Sequence, residues 1–162
     1  LALSRPDMLT AVLISSFAQV PAIFLAASYS DRHGRRGIYK IGALAMAVWG
    51  FCVFPLMDTG SLLAITLALT IGQVFIGMMY GPQAALLTEL FSTEVRYSGA
   101  SLGYQLGAIV GGGMAPIAAT ALIAAFGSTV WVSAYIAFAS LLTWLSLHLL
   151  KENHQVDLEK VS

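Results

Sequence analysis

Hydrophobic residues occur along this chain in five long runs, separated by short connections. The runs cover residues 8–29, 38–57, 62–87, 99–126 and 130–150. A helix rises 1.5 Å per residue, so each run is long enough to cross about 30 Å of hydrocarbon. Backbone groups in lipid need hydrogen-bond partners within their own segment, which favours helices. The pattern predicts an all-α membrane protein with five transmembrane helices in residues 1–150, followed by a cytoplasmic tail, 151–162.

Composition supports a membrane protein and argues against several other classes. Of the 162 residues, 58% are hydrophobic and only 10% are charged, and the mean hydropathy is +0.81. Eight basic and eight acidic side chains balance, so there is no excess of positive charge to bind nucleic acid. The sequence contains no phosphate-binding loop, metal-ligand set or Ser/His/Asp constellation. We therefore expect no enzyme, no metal site and no cofactor.

Charged residues are concentrated between the first two runs, and their distribution predicts the orientation. The segment 30–37 contains four of the sixteen Asp, Glu, Lys and Arg residues, and its Gly34 permits a tight turn with positive φ. Arg5 is the one basic residue expected on the first side of the membrane. The seven on the other side are Arg32, Arg35, Arg36, Lys40, Arg96, Lys151 and Lys160. Cytoplasmic loops carry the excess of Lys and Arg, so the C-terminus is expected in the cytoplasm.

The third run contains a line of polar and small residues on one helical face. Its members follow spacings of four, three, four, three and four: Thr66, Thr70, Gln73, Gly77, Tyr80 and Ala84. Gln73 and Tyr80 are too large for close backbone contact, which favours a substrate pathway over packing against another helix. Gln19 and Gln105 are further pathway candidates, because a glutamine that faces lipid carries an unmet polar cost. Hydrogen bonding between helices is the alternative for each glutamine.

The fourth run contains glycines at strict four-residue intervals. This glycine ridge consists of Gly99, Gly103, Gly107 and Gly111. A ridge of small residues lets a second helix approach to backbone contact, and in lipid this association depends on van der Waals fit. We therefore predict a packed interface along the ridge, either a static seam or a surface along which two halves of a protein rock. Pro116 is expected to interrupt this helix beyond its middle.

Two motifs resemble one family of membrane transporters. The run from Asp31 to Arg36 is similar to the G-x-x-x-D-R-x-G-R-R loop of the major facilitator superfamily, although Ala27 replaces the first glycine. The segments 80–83, 89–91 and 96–104 resemble its metabolite:proton symporter branch, which includes permeases for shikimate, 2-oxoglutarate, citrate and betaines. The resemblance implies helices eight to twelve of a twelve-helix transporter. A chain that begins at Leu1 with its N-terminus outside also suggests that earlier helices are missing.

The resemblance implies a function and a set of gating residues. The implied loop and gate consist of Asp31, Arg32, Gly34, Arg35, Arg36, Glu89 and Arg96. Arg32 and Arg35 are both candidate partners for Glu89, and a solvated carboxylate is the alternative. The implied protein is a symporter in the plasma (inner) membrane, which moves a small organic acid or zwitterionic metabolite together with protons. Its other partners would be the lipid bilayer and the N-terminal half of the transporter. A non-transporting remnant or assembly subunit is the competing hypothesis.

Overall fold

The computed structural model describes residues 4–150, which are almost entirely helical. Its α-helices are α1 (Arg5–His33), α2 (Arg35–Asp58), α3 (Leu62–Glu89), α4 (Arg96–Gly107), α5 (Met114–Phe126) and α6 (Val130–Leu149). A π-helical segment, Ala108–Gly113, joins α4 to α5, and the three together form one span, Arg96–Phe126. The described residues thus contain five helices that are long and apolar enough to cross a membrane. The prediction of an all-α protein with five transmembrane helices is confirmed.

The charged connection between the first two spans is shorter than the sequence predicted. Helix α1 continues to His33 and α2 begins at Arg35, so Gly34 alone makes the turn. Gly34 has a φ of 93°, in the region that favours glycine. Its N–H donates to the carbonyl of Ser30 at 3.0 Å and completes the last turn of α1. The charges of segment 30–37 therefore lie on two helix ends and not on a loop.

Helix α3 lies at the centre of the described bundle. It packs along both α1 and α2, and α2 packs in turn against α6. The span Arg96–Phe126 contacts α3 through α4 and contacts α6 through α5. None of its residues is buried within the described part of the chain. The fourth span is therefore held mainly at its two ends.

Glycines determine where the packed helices approach most closely. A Cβ atom at Gly77 of α3 would lie 2.8 Å from the Cβ of Ala22 in α1, and one at Gly81 would lie 2.6 Å from the carbonyl oxygen of Ile23. Gly42 of α2 is comparably close to α3, where a Cβ would lie 2.9 Å from a methionine side chain. These distances leave no room for a larger residue, so the α1–α3 seam consists of nearly touching backbones.

The fourth span departs from α-helical geometry at its centre. The sequence predicted an interruption at Pro116, whereas the π-helical segment begins earlier, at Ala108. The proline ring of Pro116 crowds the carbonyl four residues before it, that of Gly112, and a wider turn relieves this clash. Three consecutive glycines, 111–113, also lower the local helix propensity. The irregularity therefore falls on the glycines that precede the proline.

Candidate functional site

An ionic cluster joins the ends of α1, α2 and α3. The guanidinium of Arg35 lies 3.1 Å from the carboxylate of Asp31, and its Nε donates to Oε1 of Glu89 at 2.5 Å. Arg35, and not Arg32, is thus the partner of Glu89. The two carboxylate side chains are 61% and 44% exposed, and exposed ion pairs contribute about 0.2–1 kcal/mol each. The cluster therefore links three helix ends by contacts that can break at low cost.

The other basic residues of the motif make separate contacts. Arg36 is buried and donates from Nη1 to the carbonyl of Leu150, at the end of α6. A cation at this position also complements the negative end of the helix dipole. Arg96 donates from Nε to the carbonyl of Phe91 at 3.4 Å, in the connection before α4. Arg32 makes no ion pair or hydrogen bond with any residue from 4 to 150.

A pair of tyrosines connects the polar face of α3 to the fourth span. The hydroxyl oxygens of Tyr80 in α3 and Tyr104 in α4 lie 2.9 Å apart, so one donates a hydrogen bond to the other. The two residues are 49% and 42% exposed. Gln105, an expected pathway residue, follows Tyr104 directly and is also exposed. The contact brings polar groups of two spans together at one level of the bundle.

The remaining pathway candidates lie near the seam between α1 and α3. Thr70 and Gln73 are partly exposed and lie within two turns of Gly77. The main chain of Gln19 lies opposite, where its carbonyl oxygen would be 3.2 Å from a Cβ at Gly77. Gly77 itself is buried against α1. The two backbones meet at this member of the polar line, so Gly77 packs against α1, while the pathway interpretation of the line stays a prediction.

The glycine ridge has no neighbouring helix within residues 4–150. A Cβ atom at Gly103, Gly107 or Gly111 would meet no atom within 4 Å. At Gly99 it would meet the ring of Phe91, in the adjoining connection. Packing of the ridge against a helix stays a prediction, and that helix would have to lie outside the described residues.

The sequence expectations omit two contacts that shape this region. Tyr104 is not among the pathway candidates, although it closes the segment 96–104 and precedes Gln105. Trp49 of α2 donates from Nε1 to the carbonyl of Ala68 in α3 at 3.1 Å. The position of Tyr104 directly before Gln105 could have marked it as a further pathway candidate. No local pattern indicates the bond of Trp49, because its acceptor is a backbone atom of another helix.

The chain matches the family model of the Major Facilitator Superfamily over residues 1–160. It belongs to this superfamily. A Haemophilus influenzae superfamily relative, whose name describes metabolite transport, is 40% identical over 150 residues, which make up 93% of this chain and 34% of the relative. The inner membrane metabolite transport protein YhjE of Escherichia coli is 31% identical over 159 residues, or 98% of this chain and 36% of that protein.

A third relative is named for its substrate and its coupling ion. The citrate-proton symporter of Klebsiella pneumoniae is 31% identical over 142 residues, or 87% of this chain and 32% of that protein. The chain therefore spans about a third of the length of the curated superfamily relatives named above. No solved structure shows a significant match. The resemblance to the major facilitator superfamily inferred from the two motifs is confirmed.

Proposed function

We propose that these helices form part of a secondary transporter of the metabolite:proton symporter branch. It would move a small organic acid or zwitterionic metabolite across the plasma membrane by alternating access, coupled to protons. Membership of the Major Facilitator Superfamily supports this proposal, as do relatives named for metabolite transport and citrate-proton symport. The distribution of basic residues supports a cytoplasmic C-terminus.

The observation that carries the proposal is the polar contact between α3 and α4 within apolar spans. Polar side chains in transmembrane helices usually face a protein interior or a water-filled pathway. The hydroxyl groups of Tyr80 and Tyr104 meet at 2.9 Å, and the two residues remain about half exposed. They can therefore exchange their mutual hydrogen bond for one to a ligand. Together with Gln73 and Gln105 they offer neutral donors and acceptors suited to the hydroxyl and carboxylate oxygens of a small metabolite.

We assign the ionic cluster to the inner gate of this transporter. Arg35 bridges Asp31 and Glu89, and so ties the end of α1 to the end of α3 across the start of α2. Alternating access requires two states that differ by only a few kcal/mol. Two exposed ion pairs supply a restraint of that size or less. The cluster is thus strong enough to bias one state and weak enough to open during each transport cycle.

The proposal is tested by uptake into liposomes that contain the full-length protein carrying these helices. Labelled shikimate and citrate are offered with and without an inward proton gradient. Tyr80→Phe and Gln73→Leu should each weaken uptake about 5- to 150-fold, because each removes a polar contact worth about 1–3 kcal/mol. Tyr97→Phe is the matched control, since Tyr97 is 94% exposed and its hydroxyl has no partner among residues 4–150. Normal uptake by both pathway variants would refute the pathway.

The orientation has an independent test with single cysteines. Asp58 and Ser92 lie at opposite ends of the described helices, so cysteines are placed there singly in a protein that lacks Cys52. An impermeant thiol reagent applied to intact cells should label the cysteine at position 58 and leave the one at 92 unmodified. Labelling at 92 alone would reverse the topology. No saturable uptake of any organic acid, with the topology correct, would instead favour a non-transporting protein.

A further inference from the structure

A groove lies between α1, α3 and the start of α2, close to the ionic cluster. Its volume is about 520 Å³. The apolar wall includes Leu25, Ile38, Val74 and Met78, which come from all three helices. Four polar residues from the last turns of α1 line the same groove: Ser28, Tyr29, Arg32 and His33. The groove thus combines an apolar body with a basic rim at one helix end.

Arg32 is the basic residue of this rim whose charge has no protein partner in the described chain. The neighbouring Arg35 already contacts two carboxylates, and Arg36 donates to the end of α6. Arg32 lines the groove and is exposed, and it makes no ion pair and no hydrogen bond with residues 4–150. An unpaired guanidinium with five donors favours a carboxylate or phosphate ligand.

His33 provides a second donor at the same rim. Its ring stacks on that of Tyr29, with centroids 4.3 Å apart, and its Nδ1 lies 3.3 Å from the Tyr29 carbonyl oxygen. Because a carbonyl oxygen only accepts hydrogen bonds, this contact places the proton on Nδ1 and holds the ring in one orientation. The Nε2 atom is then the nitrogen left for a ligand, and it donates when the ring is protonated.

Exposed apolar residues on two of the helices that line the groove favour an occupant from the bilayer. Helix α2 carries a line of exposed apolar residues at spacings of three, four and three: Ile41, Leu44, Val48 and Phe51. A helix face of this kind suits contact with lipid. Leu25, on the groove wall, is 72% exposed as well. The apolar body of the groove is therefore accessible to an acyl chain, while a soluble anion would use only the rim.

We propose that this groove binds one anionic phospholipid. The phosphate lies between Arg32 and His33, and one acyl chain lies along Leu25, Val74 and Met78. Charge complementarity selects an anionic headgroup, since basic residues near a membrane surface attract anionic lipid. The lipid would sit against α1, α2 and α3 beside the Arg35 cluster, without using any group of that cluster.

The test is native mass spectrometry of the purified full-length protein with equal amounts of phosphatidylglycerol and phosphatidylcholine that carry the same acyl chains. The wild type should retain one phosphatidylglycerol with at least a fivefold preference. Arg32→Gln combined with His33→Gln should abolish the preference, because an arginine that contacts an anionic headgroup contributes about fivefold and the double variant leaves neither side chain to hold the phosphate. Arg32→Lys should keep most of it. Arg5→Gln removes the same charge at the other end of α1 and should change nothing.

Two further arms separate a lipid from a free phosphate. Ser28 lines the groove and is exposed, so Ser28→Phe should fill the groove and reduce retention of both lipids without changing any charge. Millimolar glycerol phosphate should not displace the bound lipid, because it lacks the acyl chain. Equal retention of phosphatidylglycerol by the wild type and the double variant would overturn the proposal. Displacement by glycerol phosphate, or unchanged binding in Ser28→Phe, would also overturn it.

Discussion

Replacing Gly81 with alanine tests the tightest contact that a glycine makes with another helix within residues 4–150. Gly81 lies in the α1–α3 seam, where its added Cβ would meet the carbonyl oxygen of Ile23 at 2.6 Å and the amide nitrogen of Ala27 at 2.8 Å. Both are backbone atoms of α1, so rotation of a side chain cannot relieve the clash. The two helices would have to separate by most of an ångström to reach an ordinary contact distance.

The expected cost follows from that separation. A gap of 0.5–1 Å forfeits about a quarter to a half of the dispersion energy of each contact across it. Overpacking of this kind typically costs about 1–3 kcal/mol. Alanine also improves helix propensity by about 1 kcal/mol relative to glycine. Gly81→Ala should therefore range from nearly neutral to destabilising by about 2 kcal/mol.

Gly72→Ala is the matched control in the same helix. A Cβ at Gly72 would lie 3.6 Å from Nε1 of Trp49, which is an ordinary van der Waals distance. This variant gains the same helix propensity and creates no clash. The free energies of unfolding of Gly72→Ala and Gly81→Ala should thus differ by about 1–3 kcal/mol. The comparison does not depend on the propensity term, which both variants share.

The assay is denaturation of the purified full-length protein in mixed micelles with rising fractions of sodium dodecyl sulfate, followed by circular dichroism. Gly81→Ala should unfold at a lower fraction of dodecyl sulfate than Gly72→Ala. If the two midpoints coincide, α1 and α3 do not meet at Gly81, and the seam described above is wrong. A midpoint lowered equally in both variants would show that any alanine in α3 is harmful, which would also contradict the reasoning.

Three further predictions concern other contacts. Arg35→Gln should shift the accessibility of cysteines on the two sides of the pathway more than Asp31→Asn, because it removes two ion pairs instead of one exposed pair; equal shifts would contradict the cluster. Trp49→Phe should lower unfolding stability by about 0.5–1.5 kcal/mol through loss of its hydrogen bond, as judged by the same denaturation assay. Gly107→Leu should abolish uptake or assembly while Ile109→Leu is nearly silent; similar uptake and detergent stability in both would place the ridge against lipid.

Hydropathy predicted the spans well because the membrane imposes one strong rule on every segment. Apolar runs long enough to cross hydrocarbon must be helical, whichever helices they later contact. The charged segment 30–37 was harder to predict, since polarity places it at the surface but does not say whether it is helical. The positive φ of Gly34 lets both helices continue to within one residue of the turn. The chain therefore reverses at one residue, whereas the charged segment had predicted a connection of eight residues, 30–37.

Contacts between helices could be predicted only where the residue type restricts the partner. Arg35 and Glu89 are 54 residues apart, yet the resemblance to the transporter family had made their pairing one of two candidates. The bond from Arg36 to the carbonyl of Leu150 had no such signal, because every helix end offers a carbonyl. The glycine ridge shows the reverse case. Its spacing is more regular than that of the α1–α3 seam, yet within residues 4–150 it is Gly77 and Gly81 that meet a neighbouring helix, and the packing of the ridge stays a prediction.

Helix α3 has to serve as both a packing surface and a pathway surface, and its geometry shows how these uses can coexist. At about 100° per residue, Gln73 and Tyr80 lie about 40° and about 60° to one side of Gly77, whereas Gly81 lies about 40° to the other. Gly77 and Gly81 pack against α1, and Tyr80 bonds to Tyr104 in α4. The pathway under our proposal therefore runs along the edge of the α1–α3 seam that faces α4. A small rotation of α3 about Gly77 would change the exposure of Gln73 and Tyr80 while the glycine contacts persist.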